Sequence, residues 1–133
     1  MARDTEIKNL FGEFKKAFQR LIEALEEKNS TEEIKRDAVI QRFEFTFELL
    51  WKTLKRIANE EKIEAFSPKS AFSAALQLGL IEDEDLFIDI IDARNKTSHV
   101  YSQKGAEEIY NFIKTKVVEA FSTVSLKIEE KIS

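Results

Sequence analysis

The chain has 133 residues, 43% hydrophobic and 35% charged, which fits one globular domain and lies outside the range of disordered segments. It has no cysteine and one histidine, which excludes a disulfide framework and thiolate chemistry and argues against a zinc site. The formal charge of −4 removes bulk electrostatics as a basis for nucleic-acid binding, so any RNA or nucleotide contact has to come from a local basic patch.

No apolar run approaches the roughly 18 residues of a membrane span and no signal-peptide core is present, so a cytoplasmic protein without membrane contact is expected. With only three Gly and one Pro, and Leu, Ile and Phe recurring at three- and four-residue steps, the pattern predicts an all-α fold. The expected architecture is an antiparallel up-and-down bundle of four main helices plus one short helix, a single domain over residues 1–133.

The first helix is expected over about Asp4 to Glu27, where Ile7, Leu10, Phe11, Phe14, Phe18, Leu21, Ile22 and Leu25 form one stripe. Ser30-Thr31-Glu32-Glu33 matches a capping box with Ser30 as the cap, opening a second helix from Thr31 to Glu61. Its core face is Ile40, Phe43, Phe47, Leu50, Trp51, Leu54 and Ile57, yet Phe45 and Leu49 project about 180° away. Flanked by Arg42, Lys52 and Arg56, that reverse face reads either as an interface with a polar rim or as a surface covered by the short helix or a loop.

Ser67-Pro68 marks the start and Gly79 the stop of the short third helix. The acidic cluster Glu82 to Asp85 suits the positive end of a fourth helix reaching to about His99. On this helix Leu86, Ile90 and Ala93 form one stripe, and Phe87, Ile91, Arg94 and Ser98 form a second beside it. A turn through Ser102 to Gly105 leads into a fifth helix from Ala106 to about Glu129. Its buried side is expected to be Ile109, Ile113, Val117, Ala120, Phe121, Val124 and Ile128. Phe45, Leu49, Phe87 and Ile91 cannot all face one bundle core, so a homodimer covering part of these second stripes is expected.

The polar groups that carry chemistry gather in Arg94-Asn95-Lys96-Thr97-Ser98-His99-Val100-Tyr101. Arg94 and His99 lie about 140° apart and about 7.5 Å along an ideal helix, so both reach one substrate only if the helix ends near Ser98 or a second copy completes the cleft. In metal-free RNA cleavage His99 would take the proton of a ribose 2′-hydroxyl or give one to the leaving 5′-oxygen. Arg94 would clamp the phosphate, with Lys96 as a further substrate-binding cation, and Asn95 would bond the ribose or orient the imidazole. Spacing alone favours a purely structural reading. His99 suits a helix C-terminus, Arg94 can pair with Asp89 or Asp92, Lys96 can pair with Asp92, and Tyr101 can be a packed aromatic.

The same eight residues resemble the Arg, four residues, His, one residue, Tyr signature of the HEPN superfamily. Gln41 to Lys55, read as QRFEFTFELLWKTLK, resembles the second helix of its nucleotidyltransferase substrate-binding branch, the HepT-like toxins. Ser67-Pro68-Lys69, Gly79-Leu80-Ile81 and Glu107-Glu108-Ile109-Tyr110 follow in the order of that branch, so the resemblance covers nearly the whole chain. It implies a dimeric helical bundle acting with a separate small nucleotidyltransferase. One implied role is a metal-independent ribonuclease toxin using Arg94, Asn95 and His99, silenced when the transferase adds AMP to Tyr101. The alternative is a noncatalytic subunit that binds nucleotide or substrate for the transferase. No cofactor of its own is implied, and the chain lacks the Gly-rich phosphate loop and metal-binding carboxylate motif that nucleotidyl transfer would need.

Overall fold

Helix boundaries follow from capping chemistry. The computed structural model describes residues 2–99 and 102–133, with side chains from residue 5 onward. The helices are α1 (Ala2–Leu25), α2 (Glu32–Glu60), α3 (Pro68–Gln77), α4 (Glu84–Thr97), α5 (Gln103–Phe112) and α6 (Val118–Ile132), with α5 and α6 joined through a π-helical turn at Ile113–Val117.

Two starts differ from expectation. The cap of α2 is Thr31, whose hydroxyl accepts from the Ile34 amide at 3.2 Å, while the Ser30 hydroxyl is buried without a partner among the described residues. The reason is spacing: a Thr31 cap puts Ile34 at the third helical position, so no reciprocal carboxylate exists. At α5 the predicted turn is already helix, because the Ser102 hydroxyl accepts from the Gly105 amide at 3.0 Å and caps it. The α3 cap is as expected and reciprocal, with Ser67 accepting from the Ser70 amide and the Ser70 hydroxyl accepting from the Ser67 amide. Gly79 ends α3 at φ +74°, with the Leu80 amide bonded back to Ala75 at 2.9 Å. The same closure ends α2, where the Ile63 amide reaches Ala58 at 2.9 Å, although the left-handed position is filled by Lys62 at φ +62°.

Ion pairs fix the helix directions. Glu6 meets Arg56 at 3.2 Å, so α1 and α2 run antiparallel. Arg36 lies 3.9 Å from Glu107 and Lys131 lies 2.9 Å from Glu61, so α2 and α5–α6 run the same way. Inside, aromatic rings form one connected path: Phe11, Phe14 and Phe18 of α1, Phe121 of α6, Phe43 and Phe47 of α2, Phe72 of α3 and Phe87 of α4. These five helices therefore share one core, with α2 at its middle, and α5 joins it through Ile109. Thr46 and Thr53, buried on α2, are satisfied by donating to the Arg42 and Leu49 carbonyls at 2.7 Å.

The two-stripe reading of α4 needs correction. Phe87 is buried against Phe72, ring centroids 4.9 Å apart, because short α3 packs beside α4 and covers that stripe. Ile91 is half-buried against the same core. On α2, Leu49 also packs against the core, while Phe45 stays 57% exposed and α3 does not reach it. Ile40 and Trp51, assigned to the core face, are only half-buried, and Val39 is fully buried in their place. Among the described residues no helix is long and apolar enough to cross a membrane.

Candidate functional site

The site lies at the C-terminal end of α4. Asp83 caps the helix start by accepting from the Leu86 amide at 3.0 Å, and Ser98 closes its end, with the His99 amide bonded to the Lys96 carbonyl at 2.9 Å. The last turn therefore stops just before His99, whose side chain is exposed.

His99 stands at a groove of about 430 Å³ between α4 and α5. Lys96 lines it as well, but so do three carboxylates, Asp89, Asp92 and Glu108, over an apolar floor of Ala93, Ile109 and Phe112. Its described lining is thus net acidic. Asn95 is exposed. Arg94 does not line this groove, which agrees with the angular separation of the two side chains.

Arg94 instead faces α2. Its Nη1 lies 3.1 Å from Glu44 Oε2 and donates to Thr97 Oγ1 at 3.1 Å. The Thr97 hydroxyl is in turn 2.9 Å from Glu44 Oε2 and 2.7 Å from the Arg94 carbonyl, so its one proton serves one of these acceptors at a time. Arg94 and Glu44 side chains are 24% and 30% exposed. The structural partner is therefore Glu44, fifty positions away, and not Asp89 or Asp92. Those two lie on the groove side of α4, away from the guanidinium. Sequence reasoning missed Glu44 and Thr97, since nothing local marks a carboxylate on one helix as the partner of an arginine on another.

Tyr101 lies outside the described residues. Among the described residues no three His, Cys, Asp or Glu side chains come together in a way that could hold a metal ion. A second groove of about 420 Å³ lies between α1 and α2, where Phe45 and Leu49 are flanked by Lys16, Arg20 and Arg42 with Glu13 as the single carboxylate.

Residues 9–130 match the family described as nucleotidyltransferase substrate binding protein like. A Haemophilus influenzae protein described as a probable ribonuclease HepT is 37% identical over 86 residues, covering 61% of this chain and 59% of that relative. The chain thus matches less than two-thirds of that protein's length. A crystal structure from Thermus thermophilus superposes with a TM-score of 0.72 at 29% identity, covering 90% of this chain and 98% of the other. A Haemophilus influenzae structure, described as revealing the fold of a substrate binding domain of a nucleotidyltransferase, gives 0.77 at 25% identity with the same coverage. A tri-AMPylated Shewanella oneidensis HEPN toxin in complex with an MNT antitoxin gives 0.74 at 16% identity, covering 94% and 96%. That last likeness is one of fold.

Proposed function

Because the chain belongs to the nucleotidyltransferase substrate-binding protein-like family, the HepT-like branch of the HEPN superfamily, we propose that it is a toxin-type endoribonuclease, held in check by a separate small nucleotidyltransferase. The observation that carries this reading is the exposed His99 at the mouth of the α4–α5 groove, directly after the last turn of a helix that also carries Arg94. The imidazole is positioned to exchange a proton with a ligand rather than to hold the fold together.

The chemistry is an in-line transfer in which the ribose 2′-oxygen attacks phosphorus. His99 accepts the 2′-hydroxyl proton or supplies one to the departing 5′-oxygen, the P–O5′ bond breaks, and a 2′,3′-cyclic phosphate remains. Arg94 stabilises the charge on the phosphate, Lys96 adds a cation on the His99 side and Asn95 bonds the ribose or the imidazole. The reaction needs no metal. α4 ends at Ser98, which meets one of the two conditions for a shared substrate, yet Arg94 is turned toward Glu44 on α2 and stays outside the groove that His99 lines. A homodimer solves this by setting the arginine of one copy against the histidine of the other, and the exposed Phe45 with its basic rim supports an interface on the α1–α2 side.

Regulation in this reading falls on Tyr101. The partner transferase, using ATP and Mg²⁺, would join AMP to the phenolic oxygen with release of pyrophosphate, and the added charge and bulk beside His99 would keep RNA out. Mass spectrometry after incubation with the transferase and ATP should find AMP on the wild type and none on Tyr101→Phe.

The second reading is a noncatalytic subunit binding nucleotide or substrate for the transferase. Asp89, Asp92 and Glu108 around His99 repel an RNA backbone and so weigh against cleavage in this groove, and they repel the phosphates of a nucleotide in the same way. Cleavage of RNA in EDTA, abolished by His99→Ala and by Arg94→Ala, selects the ribonuclease. Nucleotide binding without any cleavage selects the subunit. Mixing the two inactive variants adds a further arm: cleft sharing between copies should restore about a quarter of wild-type activity, because half the dimers are mixed and each has one intact pair. Self-contained sites restore none.

A further inference from the structure

Arg94 is not free in this fold, and the way it is held gives Glu44 a role. Of the three guanidinium nitrogens, Nη1 is committed to Glu44 and Thr97, and Nε is buried with no hydrogen-bond partner among the described residues. Nη2 has no hydrogen bond to any described residue and is not among the buried unsatisfied atoms, which makes it the guanidinium nitrogen available to a ligand. A planar guanidinium fixed at one corner and walled at another can present its remaining corner in one direction only. That direction is set from α2, through the Glu44 carboxylate, and is braced from α4 by Thr97.

We propose that Glu44 is the positioning residue of this site: it aligns Arg94 so that Nη2 meets the scissile phosphate, and its own negative charge offsets part of the guanidinium's field in the resting protein. The inference rests on the reading of Arg94 as a phosphate clamp. Two separable effects follow. Geometry makes Glu44 favourable for the transition state, because a clamp out of place by about 1 Å can lose about a hundredfold in rate. Charge makes it unfavourable for ground-state binding, since a carboxylate 3.1 Å from the guanidinium competes with an incoming phosphate. Removing Glu44 should therefore lower kcat without raising KM. A side chain that merely supported the fold would give no such split.

The test measures cleavage of a fluorophore-labelled RNA by the full-length protein, at a temperature where each variant is folded by circular dichroism. Glu44→Ala is expected to lose about 10- to 100-fold in kcat with KM unchanged or lower. Glu44→Gln keeps an oxygen within reach of Nη1 but not the charge, so it should retain kcat within about threefold and lower KM. Wild-type kcat in Glu44→Ala, or a raised KM with kcat intact, overturns the assignment. Arg94→Ala on the same RNA separates the two levels. Undiminished cleavage there removes the clamp itself, whereas an essential Arg94 with a dispensable Glu44 removes only the present inference. Should the wild type cleave nothing, ¹⁵N relaxation of the Arg94 Nε–H still decides the positioning. Order in the wild type that is lost in Glu44→Ala supports it, and equal order in both overturns it.

Discussion

Arg94→Ala and His99→Ala should differ sharply in stability, although both are expected to abolish activity. Removing Arg94 leaves Glu44, 30% exposed, without its counter-ion and takes a donor from Thr97. Exposed pairs contribute about 0–1 kcal/mol, and breaking a fully buried one costs about 3–5 kcal/mol. A pair whose side chains are 24% and 30% exposed and tied by a shared hydroxyl falls between, at about 1–2 kcal/mol. For a chain of this length that is a fall in Tm of about 4–8 °C. His99 is exposed and its substitution should move stability by less than about 0.5 kcal/mol, or about 2 °C. Thermal melts by circular dichroism at matched concentration read both. Coincident melts would show that the α2–α4 pair contributes no more than an ordinary surface pair. A double-mutant cycle adding Glu44→Ala should give a coupling of at least about 0.5 kcal/mol, and additivity would point to the same failure.

Lys62→Gly should stabilise the protein by about 0.5–1 kcal/mol in urea titration, because it relieves a non-glycine residue held at φ +62°. Gly79→Ala should cost about 1 kcal/mol through backbone strain alone, since a Cβ there meets nothing within 4 Å at φ +74°. Phe121→Ala should cost about 3–5 kcal/mol, because this one ring contacts Phe14, Phe18 and Phe43, with centroids 6.1, 6.1 and 6.4 Å away. A loss below about 2 kcal/mol would mean that α6 is not keyed into the aromatic path.

How far the sequence could be read depends on how local each determinant is. Ser67-Pro68 and Gly79 are read correctly because the hydroxyl, the ring and the missing Cβ each act within one turn. Lys62 ends α2 with the same closure as Gly79, yet carries no signal, since lysine at a left-handed position is set by the helix end and not by preference. The π turn did leave a trace. Ile109, Ile113, Val117 and Phe121 recur at strict four-residue steps, which would drift by about 120° over an ideal helix. All four are nevertheless buried, because the wider turn at Ile113–Val117 restores the face. Phe87 was beyond local reading, since its burial depends on Phe72 arriving from α3. So was Glu44, whose partner lies on another helix. The eight-residue stretch ending in Tyr101 marked the region, while the contacts of Arg94 needed the fold.

Glu44 and Phe45 are neighbours on α2, about 100° apart, so one helix turns one residue toward Arg94 and the next toward the α1–α2 groove. This adjacency links assembly to the proposed clamp. In the proposed dimer a second copy seated on Phe45 would lie one residue from the carboxylate proposed to orient the guanidinium, so a shift of this α2 turn would move both. In the isolated chain a 57% exposed Phe45 is held by little packing, so Phe45→Asp should leave the melt within about 2 °C of wild type. In the proposed dimer the same change would remove the apolar anchor and bury a carboxylate whose desolvation Lys16, Arg20 and Arg42 at the rim offset only in part, at a cost of a few kcal/mol, or about a hundredfold or more in the dimer dissociation constant. Sedimentation velocity should therefore show monomer for Phe45→Asp at micromolar concentration, where the wild type is expected to be a dimer. RNA cleavage should fall with the dimer fraction. A Phe45→Asp protein that remains dimeric would move the interface elsewhere, and a monomeric one with full activity would break the link between assembly and the shared cleft.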